Sequence, residues 1–220
     1  MLWFDQLMIL LPGLALAIWA QARVWRARSA ASKIQAGHTG AEAAESVLRA
    51  GGVEDVAIEP ASGELSTYYD PRGRVLRLSR KSHDGRSLAA IGASVQEAGH
   101  AIQEAARSPW RFVRNALAPI AGIGAKVVAM LIVAGLLIDM FRLVALGIDL
   151  FLALVAIQLL NVPAERDAGR RGREAMRSAG LWNDEDQPAL DRLLDASAWK
   201  YVGQTLAGAL TWPGIARPSH

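Results

Sequence analysis

Two long apolar blocks constrain this 220-residue chain more than any other feature of its sequence. The first covers residues 2–20 and contains one charge, Asp5, and the second covers about residues 116–162. A helix needs about 20 apolar residues to cross a bilayer core, so each block is long enough to span a membrane. The hydrophobic fraction of 52% also exceeds the roughly 45–50% that is usual for soluble domains. We therefore predict a mainly α membrane protein.

The first block could also be a cleaved signal peptide. A signal peptide carries basic residues before its apolar part, and none is present there. Arg23, Arg26 and Arg28 instead follow the block directly, as cations do on the cytoplasmic side of a membrane helix. We predict an uncleaved transmembrane helix over residues 1–20.

The second block is too long for one span and is interrupted at residues 139–142 (DMFR). We predict two antiparallel transmembrane helices over residues 118–138 and 143–161, which makes about three spans in all. Lys126 and Asp149 fall inside these helices, where a charge marks a functional group, snorkels, or faces a cavity inside the bundle.

A second basic flank follows the second block, from Arg166 to Arg177. If both basic flanks are cytoplasmic, the N-terminus lies outside and both polar regions lie inside. We divide the chain into an N-terminal membrane helix (1–20), a polar region (21–115), a transmembrane hairpin (116–162) and a C-terminal helical region (163–220). Within the last region, residues 187–212 predict a helix that packs on the bundle or lies at the interface, with a fourth span as the alternative.

The polar region carries clear local signals. Thr39 and Glu42 form a capping box that opens a helix ending at Gly51. Residues 67–69 and 75–78 flank Asp-Pro-Arg-Gly, a sequence typical of a type I turn, and predict a β-hairpin. Another helix should begin near Ser87 and continue through residue 102.

The composition excludes several classes of function. The chain has no cysteine, which rules out disulfides, iron–sulfur clusters, thiolate zinc and a cysteine nucleophile. Its net charge of +3 and lack of a long basic run give no reason to propose a nucleic-acid partner.

The segment Gln96-Glu97-Ala98-Gly99-His100 differs in one residue from the zinc-binding motif H-E-x-x-H. In that motif two histidines one helical turn apart bind zinc, and the glutamate acts as general base. Helical spacing places Gln96 and His100 on one face, with Glu97 adjacent. A lone histidine on an alanine-rich helix is more often packed or solvated than a metal ligand.

The wider chain resembles the bacterial membrane zinc metallopeptidases of the YugP type, which are related in plan to HtpX-type membrane proteases. The resemblance covers nearly the whole chain. The segments that carry it are Leu11-Pro12-Gly13, Trp19-Ala20-Gln21, Thr39-Gly40-Ala41-Glu42, Tyr69-Asp70-Pro71-Arg72, Leu76-Arg77-Leu78-Ser79, Gly85-Arg86-Ser87-Leu88-Ala89-Ala90, Gly99-His100-Ala101-Ile102-Gln103 and Pro163-Ala164-Glu165.

This resemblance implies a zincin-like helical core and a zinc cofactor. Carried over residue by residue, Glu97 is the general base, His100 is a zinc ligand and Glu165 is the third ligand. From the residues alone, a carboxylate paired with nearby arginines is the alternative for Glu165. We expect Gln96, Glu97, His100 and Glu165 to converge on one point.

The chain departs from the family pattern at the first zinc ligand, where Gln96 replaces histidine. An amide oxygen is a weak neutral ligand that suits harder cations than zinc, so zinc should bind weakly or not at all. Tyr68 and Glu104 also stand where family members often have histidine. His83 is the candidate for a replacement imidazole, although an exposed loop histidine is the ordinary interpretation.

Three functions remain open. The first is a membrane-embedded zinc peptidase that acts on peptide or protein substrates, in the inner (plasma) membrane of a bacterium with its active-site face cytoplasmic. The second is a catalytically inactive pseudopeptidase that binds or regulates partners at the membrane. The third is a structural membrane protein. The sequence carries no prediction of the oligomeric state.

Overall fold

The computed structural model describes residues 2–61, 67–181 and 185–210. Its elements are α1 (Leu2–Ala31), α2 (Gly40–Ala50), β1 (Ala57–Pro60), β2 (Tyr68–Asp70), β3 (Val75–Leu78), α3 (Arg80–His83), α4 (Leu88–Ala105), α5 (Trp110–Leu137), α6 (Phe141–Leu159), α7 (Asn161–Ser178), α8 (Gln187–Ser197) and α9 (Lys200–Leu210). The prediction of a mainly α protein with a small β-hairpin is confirmed.

The local signals of the polar region produce the expected elements. The Thr39 hydroxyl accepts a hydrogen bond from the Glu42 backbone, and the Glu42 carboxylate accepts one from the Thr39 backbone, so the capping box is complete. Strands β2 and β3 pair antiparallel, with Asp70 opposite Val75. The Asp70 carboxylate accepts hydrogen bonds from the backbone amides of Arg72 and Gly73 and stabilises the turn. Strand β1 pairs parallel to β3, which gives the order β1-β3-β2.

Two compact units make up the chain, and the candidate site lies within one of them. That unit consists of Val24–Phe112 and Pro163–Ala198. Helix α4 is its central element, because α2, α8 and the strands β2 and β3 all pack against it. Most residues of α4 are buried, which explains why its sequence is rich in small and apolar side chains.

Within this unit, helices α7 and α4 pack so closely that their backbones are in contact. A Cβ on Gly99 would overlap the backbone oxygen of Ala168, and a Cβ on Gly172 would lie 2.7 Å from the backbone oxygen of Val95. Side chains at either position would therefore separate the two helices. The two glycines allow residues of α7 to reach the buried face of α4.

The other unit consists of Met1–Arg23, Val113–Val162 and Trp199–His220. Its helices α5 and α6 form the predicted antiparallel hairpin, in which Gly147 faces Ile132 and Gly124 faces Leu154. Small residues at a helix interface allow such close packing. Asp139 adopts a φ of 54° in the tight turn between the two helices.

Several predicted boundaries need correction. Helix α1 continues to Ala31 rather than ending at residue 20, and α5 begins at Trp110 rather than at residue 118. Residues 187–210 form two helices, α8 and α9, instead of one. Residues 211 and 212 lie outside the described residues. Helix α9 packs on α6, and the rings of Trp19 and Trp199 meet edge to face at 4.9 Å.

Among the described residues, two helical segments are long and apolar enough to cross a membrane. They are Met8–Ala31 and the continuous stretch Phe141–Ser178, which contains α6. Within α5, the described residues contain a shorter apolar segment, Ile123–Leu137. The total of about three spans, like the division at residues 20, 115 and 162, therefore stays a prediction. Lys126 and Asp149 are both exposed on their helices.

Candidate metal centre

Helix α4 supplies three of the four predicted site residues. It begins after Ser87, whose hydroxyl accepts a hydrogen bond from the Ala90 amide and caps the helix. Gln96 and His100 lie one turn apart, and both are buried with Glu97 among the elements packed around α4. Polar side chains in such a position need hydrogen-bond partners or an ion, because desolvation is costly.

Helix α7 brings Glu165 to the buried face of α4. The Glu165 side chain is fully buried. The amide nitrogen Nε2 of Gln96 donates hydrogen bonds to Glu165 Oε2 at 2.9 Å and to the Glu165 backbone oxygen at 3.0 Å. His100 Nε2 lies 3.2 Å from Glu165 Oε1. Gln96, His100 and Glu165 therefore meet at one point, while the expected convergence of Glu97 with them stays a prediction.

Polar atoms of Gln96 and His100 at this point form no hydrogen bond with any described residue. They are Oε1 of Gln96 and Nε2 of His100, and both are buried. The close approach of His100 Nε2 to Glu165 lacks the alignment of a hydrogen bond. A buried imidazole nitrogen without a hydrogen bond is an atom that a cation could engage.

The other nitrogen of the His100 ring meets a second buried amide. His100 Nδ1 lies 3.3 Å from Oε1 of Gln103, which is one turn further along α4. The amide nitrogen of Gln103 donates to the backbone oxygen of Ala164 at 3.0 Å and to Asp167 Oδ2 at 2.9 Å. Both acceptors lie on α7, so Gln103 connects His100 to that helix.

Asp167 is the charged end of this connection. It accepts hydrogen bonds from Gln103, Ser108, Arg170 and Arg171. Partial burial raises the pKa of Asp167, but the hydrogen bonds from Gln103, Arg171 and Arg170 outweigh that effect and lower the pKa to about 2. The carboxylate is therefore ionised at neutral pH and acts only as an acceptor.

The Glu97 carboxylate faces the edge strand β2. Its Oε2 atom accepts a hydrogen bond of 3.1 Å from the backbone amide of Tyr69. The carboxylate is thereby fixed between α4 and the sheet. It neighbours Gln96 in the sequence, and its predicted role as general base stays a prediction.

The remaining residues singled out from the sequence lie in ion pairs or at partly exposed positions. His83 pairs with Asp84 at the end of α3. Glu104 forms an ion pair of 2.7 Å with Arg111. The ring of Tyr68 lies beneath the guanidinium of Arg77. No described contact joins any of them to Gln96, His100 or Glu165, so the proposal of His83 as a replacement ligand gains no support.

Comparison with known proteins assigns the chain to a family. A family model described as "Putative neutral zinc metallopeptidase" matches residues 6–212. The chain belongs to this family. It is also 35% identical over 198 residues to the "Putative membrane protease YugP" of Bacillus subtilis (strain 168), with 89% of this chain and 88% of the relative covered. No solved structure matches the chain.

The family implies zinc, and two of the three ligand positions fit that ion. Two ligand atoms of a tetrahedral zinc ion, each about 2.0–2.1 Å from the metal, lie about 3.3 Å apart. His100 Nε2 and Glu165 Oε1 are separated by 3.2 Å. Gln96 fits poorly, because its amide nitrogen rather than its oxygen faces Glu165. Accordingly, no group of three or more His, Cys, Asp or Glu side chains within the described ranges is arranged to hold a metal.

Sequence reasoning did not identify Gln103 and Asp167 as part of the site. Gln103 belongs to a segment that resembles the family, and its spacing of three residues from His100 places it on the same helix face. Asp167 carries no comparable signal, because it is one of many charged residues in α7.

Proposed function

We propose that this chain is a membrane-associated zinc peptidase whose metal site is weakened by Gln96. The observation that carries the proposal is the buried approach of His100 Nε2 to Glu165 Oε1, at 3.2 Å, on helices that the family's motif residues occupy. The named relative carries the description "Putative membrane protease", which favours the same class of reaction. The substrate class is a peptide or protein.

The proposed metal ligands are His100, Glu165 and Gln96. When bound, zinc would supply Lewis acidity that polarises a peptide carbonyl and makes water more acidic. His100 would bind through Nε2 and Glu165 through its carboxylate. Gln96 could contribute only its Oε1 atom, after a rotation of its amide, and a neutral amide oxygen is a poor zinc ligand. We therefore expect low zinc affinity and slow hydrolysis.

Glu97 is the proposed general base. Its carboxylate would accept a proton from the attacking water and deliver it to the amine of the leaving peptide. The Tyr69 amide holds Oε2 of this carboxylate at 3.1 Å, which restricts its orientation. Water must be activated in a protected site, and the 5% exposure of Glu97 meets that requirement.

A peptidase assay on purified protein in detergent tests this proposal. We expect slow casein hydrolysis by the parent and faster hydrolysis by Gln96→His, because imidazole restores a second nitrogen ligand one turn from His100. The double variant Gln96→His/Glu97→Gln is the control and should be inactive. Hydrolysis by the parent that equals that of Gln96→His would contradict the proposed role of Gln96.

A non-catalytic role is the second candidate, and one observation favours it. The Gln96 amide donates two hydrogen bonds to Glu165 and so stabilises the site without a metal. A pseudopeptidase would retain this closed site and bind partners or unfolded segments without cutting them. Elemental analysis distinguishes the two candidates, because the pseudopeptidase should contain no zinc even after incubation with excess metal.

The proposed location is the inner (plasma) membrane of a bacterium, with three spans and both polar regions on the cytoplasmic side. Arg23, Arg26 and Arg28 and the second basic flank from Arg166 onward support this orientation.

Cysteine labelling tests the orientation, since the chain has no native cysteine. In intact cells, a membrane-impermeant reagent should label Met140→Cys in the turn between α5 and α6. It should label Pro60→Cys only after permeabilisation. Both parent residues are exposed, so accessibility is matched. Labelling of Pro60→Cys from outside would refute the orientation.

A further inference from the structure

We propose that Gln103 is a positioning residue that fixes the tautomer of His100. The inference rests on the proposed function, because it concerns how the imidazole is prepared to bind a metal. It is carried by three contacts of the Gln103 amide: one to His100 and two to helix α7.

The amide of Gln103 has a defined orientation. Its nitrogen lies within hydrogen-bond distance of two atoms that can only accept, the Ala164 backbone oxygen and Asp167 Oδ2. A rotation of the amide by 180° would place its oxygen against both acceptors. The oxygen of Gln103 must therefore face His100, and Gln103 is 1% exposed, so water does not offer an alternative arrangement.

An amide oxygen can only accept a hydrogen bond, which determines the proton position on His100. The ring must place its proton on Nδ1 to donate to Gln103 Oε1. Nε2, which lies 3.2 Å from Glu165 Oε1, then carries the free lone pair that a metal ligand requires. Without Gln103, the Glu165 carboxylate at 3.2 Å would attract the proton to Nε2 instead.

Asp167 strengthens this arrangement from the far side of the amide. Its carboxylate accepts from Gln103 and is itself held by Ser108, Arg170 and Arg171. The order from α7 to the ring is therefore carboxylate, amide, imidazole. Partners of this kind orient metal-binding histidines, and their loss typically lowers metal affinity by about 10–100-fold.

Nitrogen-15 NMR of the histidine side chains in zinc-free protein tests the proposal. The His100 signals are identified by their absence in His100→Ala. In the parent, we expect His100 to be protonated on Nδ1 and unprotonated on Nε2. Gln103→Met keeps the length of the side chain but removes the acceptor, so it should shift His100 toward the Nε2-protonated form.

Gln158→Met in α6 is the matched control, because Gln158 is also a fully buried amide and accepts a hydrogen bond from Asn161. It should leave the His100 tautomer unchanged. In the Gln96→His background, Gln103→Met should also lower zinc affinity about 10–100-fold, measured by competition with a chelator.

An Nε2-protonated His100 in the parent would overturn the proposal, and this result needs no variant to fold. An unchanged tautomer in folded Gln103→Met would overturn it as well. Failure of the proposed function is separate from both results, because a parent that neither binds zinc nor hydrolyses peptides can still show the Nδ1-protonated ring.

Discussion

Replacing Gly99 with alanine tests the close packing of α4 on α7 that builds the site. The added Cβ would overlap the backbone oxygen of Ala168, which cannot move away as a flexible side chain can. A normal contact of about 3.2 Å between these atoms requires the helices to separate by roughly 1 Å. The Gln96–Glu165 hydrogen bond of 2.9 Å would then be too long.

The cost of this substitution follows from three contributions. Overpacking against backbone costs about 3 kcal/mol, the upper end of its usual range. The replacement of glycine by alanine inside a helix returns about 1 kcal/mol. Loss of the buried Gln96–Glu165 bond adds about 1 kcal/mol. The net destabilisation is about 3 kcal/mol, which corresponds to a fall in melting temperature of roughly 6–12 °C for a chain of this size.

Thermal unfolding in detergent measures this effect. Gly37→Ala is the control, because a Cβ at Gly37 meets nothing within 4 Å. We expect it to melt within about 2 °C of the parent. Equal melting temperatures for Gly99→Ala, Gly37→Ala and the parent would contradict the backbone contact between α4 and α7 on which the site depends.

Three further predictions concern the polar region. Thr39→Ala should lower the free energy of unfolding in denaturant by about 1 kcal/mol because the capping box is lost, and an unchanged value would contradict the cap. Gly52 has a φ of 70°, so Gly52→Ala should cost about 1 kcal/mol, and a stabilised variant would argue against this conformation. The Gly73 amide lowers the pKa of Asp70 from 3.8 in the folded state. The Asp70 carboxylate should therefore contribute its full stabilisation above pH 3.8 and lose it as the pH falls below that value. Plots of the free energy of unfolding against pH should converge in acid for the parent and Asp70→Asn. Parallel plots would refute this role of Asp70.

Much of the fold could be predicted because its signals are local. The capping box at Thr39, the turn after Asp70 and the start of α4 after Ser87 each depend on residues within four positions of one another. The boundaries of α1 and α5 were wrong because a helix continues past the apolar residues that reveal it. Hydrophobicity indicates where a membrane helix is needed and carries no information on where its backbone hydrogen bonding ends.

The site depends on contacts between distant parts of the chain, which local patterns cannot reveal. The resemblance to the family indicated Glu165, and the structure places it 3.2 Å from His100. The connection through Gln103 to Asp167 spans 64 residues of sequence. The orientation of that amide follows from two acceptors on α7 and could not be predicted before α7 was placed against α4.

The zinc dependence of the melting temperature tests the central claim that Gln96 weakens a retained zinc site. Metal that binds only the folded state stabilises it by about 2.7 kcal/mol at a concentration 100 times its dissociation constant, roughly 5–11 °C here. At a zinc concentration 100 times the dissociation constant of Gln96→His, we predict a melting-temperature increase of roughly 5–11 °C for that variant and a much smaller increase for the parent. Gln96→His/Glu165→Gln should lose most of the shift. An equal shift in the parent and Gln96→His would contradict the claim.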